Sequence, residues 1–297
     1  MYIKKYFTAF VLILFSIIGS SYKTADAQIQ KSRLRRIVVD PGHGGHDSGA
    51  LGKYSTEKAV SLAISLKIDE LLREQLPDVE VILTRKTDVF HSPVVKANIA
   101  NQAKGDLFVC IHCNSADPIR RTEVVGYKTV TKGKGKKKRS VQVKEYAHHS
   151  SPNPAKGTET YIWGVSKNDD KERALRENES LFLDSSLSDK NWNSLEKLQL
   201  ISLKTRNYFE RSANLALTIE EEFKKVGRVS REAQQRQVGI WVLQAVAMPS
   251  VLIETGFISN PEEEDYLNSV SGQTEIAQAV VNAIIKYKKS LDSKMVH

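Results

Sequence analysis

Three short apolar runs in this chain each stop at a residue that can do chemistry. Arg36–Asp40 (RIVVD) leads into PGHGG and His43, Leu107–Ile111 (LFVCI) into His112, and Ser250–Ile253 (SVLI) into Glu254. Runs this short and this rich in β-branched residues read as buried strands rather than helices. Between the first two lies a helical pattern from Thr56 to about Gln75, with Ala59, Leu62, Ala63 and Leu66 and also Val60, Ile64 and Leu71 as its apolar positions, ended by Pro77. A strand at Val79–Arg85 and a short helix at Lys96–Lys104 follow. Strands alternating with helices predict a single α/β domain: a twisted, mostly parallel or mixed sheet with helices on both faces. In open α/β sheets ligands bind beyond the carboxyl ends of the strands. That rule gathers His43, His112 and Glu254 on one rim, and Glu57 joins them from the first turn of the following helix.

Two histidines and a carboxylate form a zinc-binding set of the catalytic type, with a fourth position open to water. A further carboxylate ending an apolar strand is a candidate general base, because burying it is costly unless it is partnered or functional. Taken singly, each residue also has an ordinary reading. Glu57 would favour a helix N-terminus through the macrodipole alone. His46, His91, His148, His149 and His297 are read as surface or satisfied groups.

The chain opens MYIKKYFTAFVLILFSIIGSSYKTADAQ. Lys4 and Lys5, an apolar run from Phe7 to Gly19 and the small-x-small site Ala25-Asp26-Ala27 predict a signal peptide over residues 1–27, cut after Ala27. The run is shorter than the roughly 20 residues of a membrane span. The expectation is an exported protein of the periplasm or cell envelope, or a secreted one, with no stable membrane anchor. A linker (28–34), a catalytic domain (35–290) and a short tail (291–297) complete the layout. Removing the leader's three lysines and one aspartate takes the net charge from +9 to +7. For an exported protein this charge points to anionic envelope polymers or lipid head groups and away from nucleic acid. The only cysteines, Cys110 and Cys113, flank His112 and are read as two reduced thiols.

The middle is less regular. Val124–Thr131 is a candidate strand running into KGKGKKKRS, and the Lys132–Arg139 tract is read as a disordered, solvated loop. Thr158–Trp163 (TETYIW) is a clear strand. Residues 166–204 read as an insertion of one or two helices, followed by a long helix at Thr205–Val226. Gly239–Leu243 and Ser250–Glu254 are late strands, and Thr274–Lys289 is a closing amphipathic helix.

Together these stretches resemble a known family, the zinc-dependent N-acetylmuramoyl-L-alanine amidases of the amidase-3 type. VVDPGHGGHDSGALG is similar to the family's opening zinc loop and EKAVSLAI to its glutamate-bearing helix. LTRKTD, LFVCIHCNSA, GTETYIWG and PSVLIETGFISNPEEE follow in the family's order, so the resemblance spans roughly residues 35–290. It implies that His43, Glu57 and His112 bind one zinc ion and that Glu254 is the catalytic glutamate. The substrate it implies is peptidoglycan. The bond cut would be the amide between N-acetylmuramic acid and L-alanine, in wall remodelling or daughter-cell separation. Lys96 stands where the family commonly has arginine, and the two cysteines replace small residues. The 166–204 insertion is read either as a gate over the site, moved by an activator protein, or as a surface elaboration. Two rival functions stay open: a catalytically silent peptidoglycan-binding protein, and another envelope zinc hydrolase such as a peptidase or deacetylase. The chain lacks the HExxH pair of the commonest zinc peptidases.

Overall fold

The computed structural model describes residues 34–178, 194–236 and 239–293. The signal-peptide reading, most of the linker, residues 179–193 of the insertion and the last four residues, His297 among them, lie outside the described residues. β1 (Arg36–Pro41), α1 (Glu57–Gln75), β2 (Glu80–Leu83), α2 (Pro93–Gln102) and β3 (Leu107–Asn114) form the expected alternation. Next come a long antiparallel hairpin, β4 (Ile119–Lys132) and β5 (Arg139–Ser151), then β6 (Thr158–Trp163), α3 (Asn168–Glu177) and α4 (Ser194–Lys225). β7 (Ser230–Arg236), α5 (Trp241–Ala245), β8 (Ser250–Phe257), α6 (Pro261–Asn268) and α7 (Val270–Ser293) complete the chain.

The main sheet has the order β2-β1-β3-β8-β6-β7. β2, β1, β3 and β8 run parallel, and β6 lies antiparallel to β8 with β7 parallel to β6. Its central strands are buried on both faces, as sheets covered by helices are. Ile37, Val39, Leu107, Val109, Ile111, Val251 and Ile253 pack into one core with α1, α4 and α7. Val38, Phe108, Cys110 and Leu252 alternate into the other, against α2 and α5. α1 buries Val60, Ile64, Ile68 and Leu72 at helical spacing. Leu66 and Ala59, expected in that face, turn outward. Fully burying each such aliphatic side chain stabilises by roughly 1.5–3 kcal/mol.

Several expectations need correction. Gly239–Leu243 is not a strand; a short helix begins at Trp241, where Leu243 and Val246 bury against Val38 and Phe108. β7 (SREAQQR) escaped notice because an edge strand with few apolar residues shows no alternation. The Lys132–Arg139 tract is the turn of the β4–β5 hairpin, so Arg139–Ser151 is a strand where none was expected. The long helix starts at Ser194 rather than Thr205 and absorbs the end of the insertion. Cys110 and Cys113 are free and buried, as expected, and burial pushes both thiols well up.

Candidate active site

The site grows from the strand ends. β1 stops at Pro41, and Gly42 N–H continues the ladder to Ile111 O at 2.9 Å. A side chain at residue 42 would place its Cβ 2.7 Å from the His112 ring, so only glycine lets β1 lie this close to that imidazole. His43 then adopts a left-handed backbone, φ 58, which is uncommon outside glycine and frequent at functional sites. Its loop is pinned from below. The buried Arg85 guanidinium donates to Gly42 O at 2.7 Å and Lys58 O at 2.8 Å. Gly45 N–H donates to Asp88 at 2.7 Å, and Lys58 Nζ bridges Gly45 O and Asp88. Buried Lys96 pairs with buried Asp40 at 3.0 Å and donates to Pro41 O at 2.7 Å.

Glu57 opens α1 and turns its carboxylate inward between the two histidines. Oε2 lies 3.1 Å from His43 Nε2, and Oε1 lies 2.7 Å from His112 Nδ1. Ala50 N–H donates to Oε2 at 2.8 Å and Cys113 N–H to Oε1 at 3.1 Å. Burial opposes ionisation, but the histidine hydrogen bonds prevail and hold the Glu57 carboxyl well below the usual carboxylate range. On the far side of His43, Nδ1 lies 2.8 Å from Asp47 Oδ2. A carboxylate there fixes the ring and leaves Nε2 facing inward, as the outer partners of metal-binding histidines do. Burial of His43 acts against protonation, yet Glu57 and Asp47 raise its pKa overall.

Glu254 sits across the strands. Its register partners are His112 in β3 and Glu159 in β6. It is 7 % exposed, and its Oε2 has no hydrogen-bond partner. Desolvation, reinforced by the Glu57 and Glu159 charges, pushes its carboxyl up to about 7. Glu159 is 4 % exposed but well partnered. It accepts from Asn114 Nδ2 at 2.8 Å, Tyr161 O–H at 2.6 Å and Arg231 Nε at 2.5 Å. Burial and this carboxylate push the Tyr161 phenol up to about 12.

All four expected residues thus come together, while His46, His91, His148 and His149 stay apart. Among the described residues, His43, Glu57 and His112 are the one set of three side chains whose ligand atoms lie within 4.8 Å of one another. Two nitrogens and a carboxylate oxygen at that spacing suit zinc. The unpartnered Glu254 Oε2 beside them suits a polar occupant of the site. Glu159, Tyr161, Asn114 and Arg231 were missed. Glu159 gave a signal: a carboxylate inside TETYIW, an otherwise buried strand.

The chain is similar to several known proteins. AmiC of Escherichia coli O6:H1, an N-acetylmuramoyl-L-alanine amidase, is 30% identical over 254 residues, 84% of this chain, which spans only 52% of that protein's length. AmiA of Escherichia coli K12, also an N-acetylmuramoyl-L-alanine amidase, is 29% identical over 90% of this chain and 81% of its own. A crystal structure of an N-acetylmuramoyl-L-alanine amidase from Clostridium difficile 630 shares the fold, with TM-score 0.56 and 24% identity over 87% of this chain and 99% of that one. The CwlD amidase of Clostridioides difficile, solved in complex with the GerS lipoprotein, does so with TM-score 0.53 and 24% identity over 85% of this chain and 98% of its own. The family model described as N-acetylmuramoyl-L-alanine amidase matches residues 37–286, and the chain belongs to that family.

Proposed function

We propose that this protein is a zinc-dependent N-acetylmuramoyl-L-alanine amidase that cuts peptidoglycan between N-acetylmuramic acid and L-alanine. One observation carries the reading: a compact His43–Glu57–His112 donor set beside buried Glu254, whose Oε2 has no hydrogen-bond partner. His43, Glu57 and His112 would hold the metal. Zinc, when bound, supplies a Lewis acid that polarises a carbonyl and makes a water molecule more acidic.

The protein's own groups then move the protons. Glu254 accepts a proton from the attacking water and returns it to the L-alanine amine as the amide breaks. Burial raises the Glu254 carboxyl in the metal-free protein, and a bound cation acts in the opposite direction, favouring the carboxylate that takes the proton from water. Asp47 keeps His43 Nε2 turned inward. No nucleophilic thiol is needed, and Cys113 is buried with its pKa raised. Export to the periplasm or envelope, and a role in wall remodelling or daughter-cell separation, fit the substrate. The insertion at residues 166–204 is the proposed point of action for an activator protein; that the CwlD amidase is found in complex with the GerS lipoprotein supports a protein partner as such.

Zinc titration of the metal-stripped protein tests the donor set. The wild type should bind one equivalent tightly, and His112→Ala should lose at least about 10-fold in affinity. Equal binding by the two proteins would remove His112 from the set.

A further inference from the structure

The β4–β5 hairpin plays no part in the site above, yet it holds most of the protein's excess charge. Residues 119–151 contain seven lysines, three arginines and two glutamates, a net +8 against +9 for the whole chain. Both glutamates are already engaged within the arm. Glu145 lies 4.0 Å from Lys128, and Glu123 lies 3.8 Å from His149. The tip cations Lys132, Lys134, Lys136, Lys137, Lys138 and Arg139 are all exposed. Among the described residues no carboxylate pairs with them.

The tip is a built turn. Gly133 takes φ 106, and a Cβ there would meet Lys137 O at 2.2 Å. Lys137 N–H donates to Lys134 O at 3.2 Å. The backbone therefore gathers six solvated like charges with no carboxylate among them, a local positive field that attracts an anionic partner. Among the described residues the hairpin forms a two-stranded sheet of its own. A lone two-stranded ribbon is marginal in water and gains from being covered.

Where the arm is rooted identifies the partner. Four residues (115–118) join it to β3 and six (152–157) join it to β6. Those strands carry His112, Asn114 and Glu159 and flank Glu254 on β8. The arm's root stands at the rim and its charged tip roughly 40 Å out along the ribbon, so a long polymer gripped at the tip and cut at the site is one chain held at two points. Exposed apolar groups lie along the shaft: Val124 opposite Tyr146, and Tyr127 opposite Lys144. The tip has none, so the surface suits an extended polymer of sugars and carboxylates better than a bilayer met end-on.

We propose that β4–β5 is a substrate-binding arm, which grips carboxylate-bearing stem peptides of peptidoglycan away from the bond being cut. This rests on the amidase reading of the adjoining site. The test replaces the six tip cations together with glutamine in the full chain. Co-sedimentation with purified sacculi is measured across a salt series, beside hydrolysis of a small soluble muramoyl-peptide. The variant should bind sacculi about 10-fold more weakly at low salt, with a flatter salt dependence, while hydrolysing the small substrate like wild type. Amidating the sacculus carboxylates should weaken wild-type binding to the same degree. Unchanged sacculus binding by the variant, or wild-type binding indifferent to amidation, would overturn the proposal. So would tip-dependent binding to phosphatidylglycerol vesicles that exceeds binding to sacculi. If neither protein cleaves the small substrate even after the insertion at residues 166–204 is cut out, the amidase reading fails, and the sacculus comparison still decides the arm.

Discussion

Glu254 is an acid kept from water, with Oε2 unpartnered and Glu159 opposite it in register. Desolvation raises its folded pKa from 4.5 to about 7. Between those values the unfolded chain releases a proton that the folded chain keeps. Stability of the metal-free protein therefore falls as pH rises through that window, by up to about 3 kcal/mol from this group. Glu254→Gln removes that contribution. In urea denaturation of chelated protein, the variant should gain on wild type from pH 5 to about pH 7 and hold that gain at pH 8. A constant difference would mean that Glu254 is solvated and ionised in the native state. The same reasoning explains what the sequence showed. A carboxylate ending SVLI was legible because three apolar residues, Val251, Leu252 and Ile253, lead into it. Glu159 obeys the same rule, but the threonines around it blurred the signal. Its partner Arg231 lies in a polar edge strand that shows no pattern at all.

Among the elements, α3 shows how the insertion is attached. Lys171 is fully buried, and its ammonium donates to Leu243 O and Met248 O at 2.8 Å each. It also lies 4.4 Å from the centre of the Trp163 ring. Burial pulls its pKa well below the usual lysine value. The described start of the insertion is thus docked on the core through α5 and β6. Lys171→Met keeps the length of the side chain but strands two buried carbonyls, at a cost of about 1–3 kcal/mol. Hydrogen exchange should show α3 amides losing protection ahead of α1. Unaltered α3 protection would show that the lysine does not hold the helix. Element types were legible wherever both faces of a strand are buried, as in β1, β3 and β8. They were not legible in β5 and β7, which are polar and largely exposed. α5 misled because its apolar residues are few enough to pass for a strand.

Across the whole molecule, charge and chemistry are separated along the chain and rejoined at one rim. The parallel strands bring His43, His112 and Glu254 to their carboxyl ends, and reversed β6 brings Glu159 to the same end by its start. The excess positive charge stands on the hairpin rooted there. The α/β class and the shared rim followed from strand order and length. The reversal of β6 and β7 did not, because a short strand carries no sign of its direction. The account is tested most directly by mass spectrometry of the products released from purified sacculi, by wild type and Glu254→Gln, with and without chelator. It predicts chelator-sensitive release of intact stem peptides bearing a free L-alanine amine, and a loss in Glu254→Gln of at least about 100-fold. Cleavage inside the stem peptide, or wild-type turnover by Glu254→Gln, would contradict it.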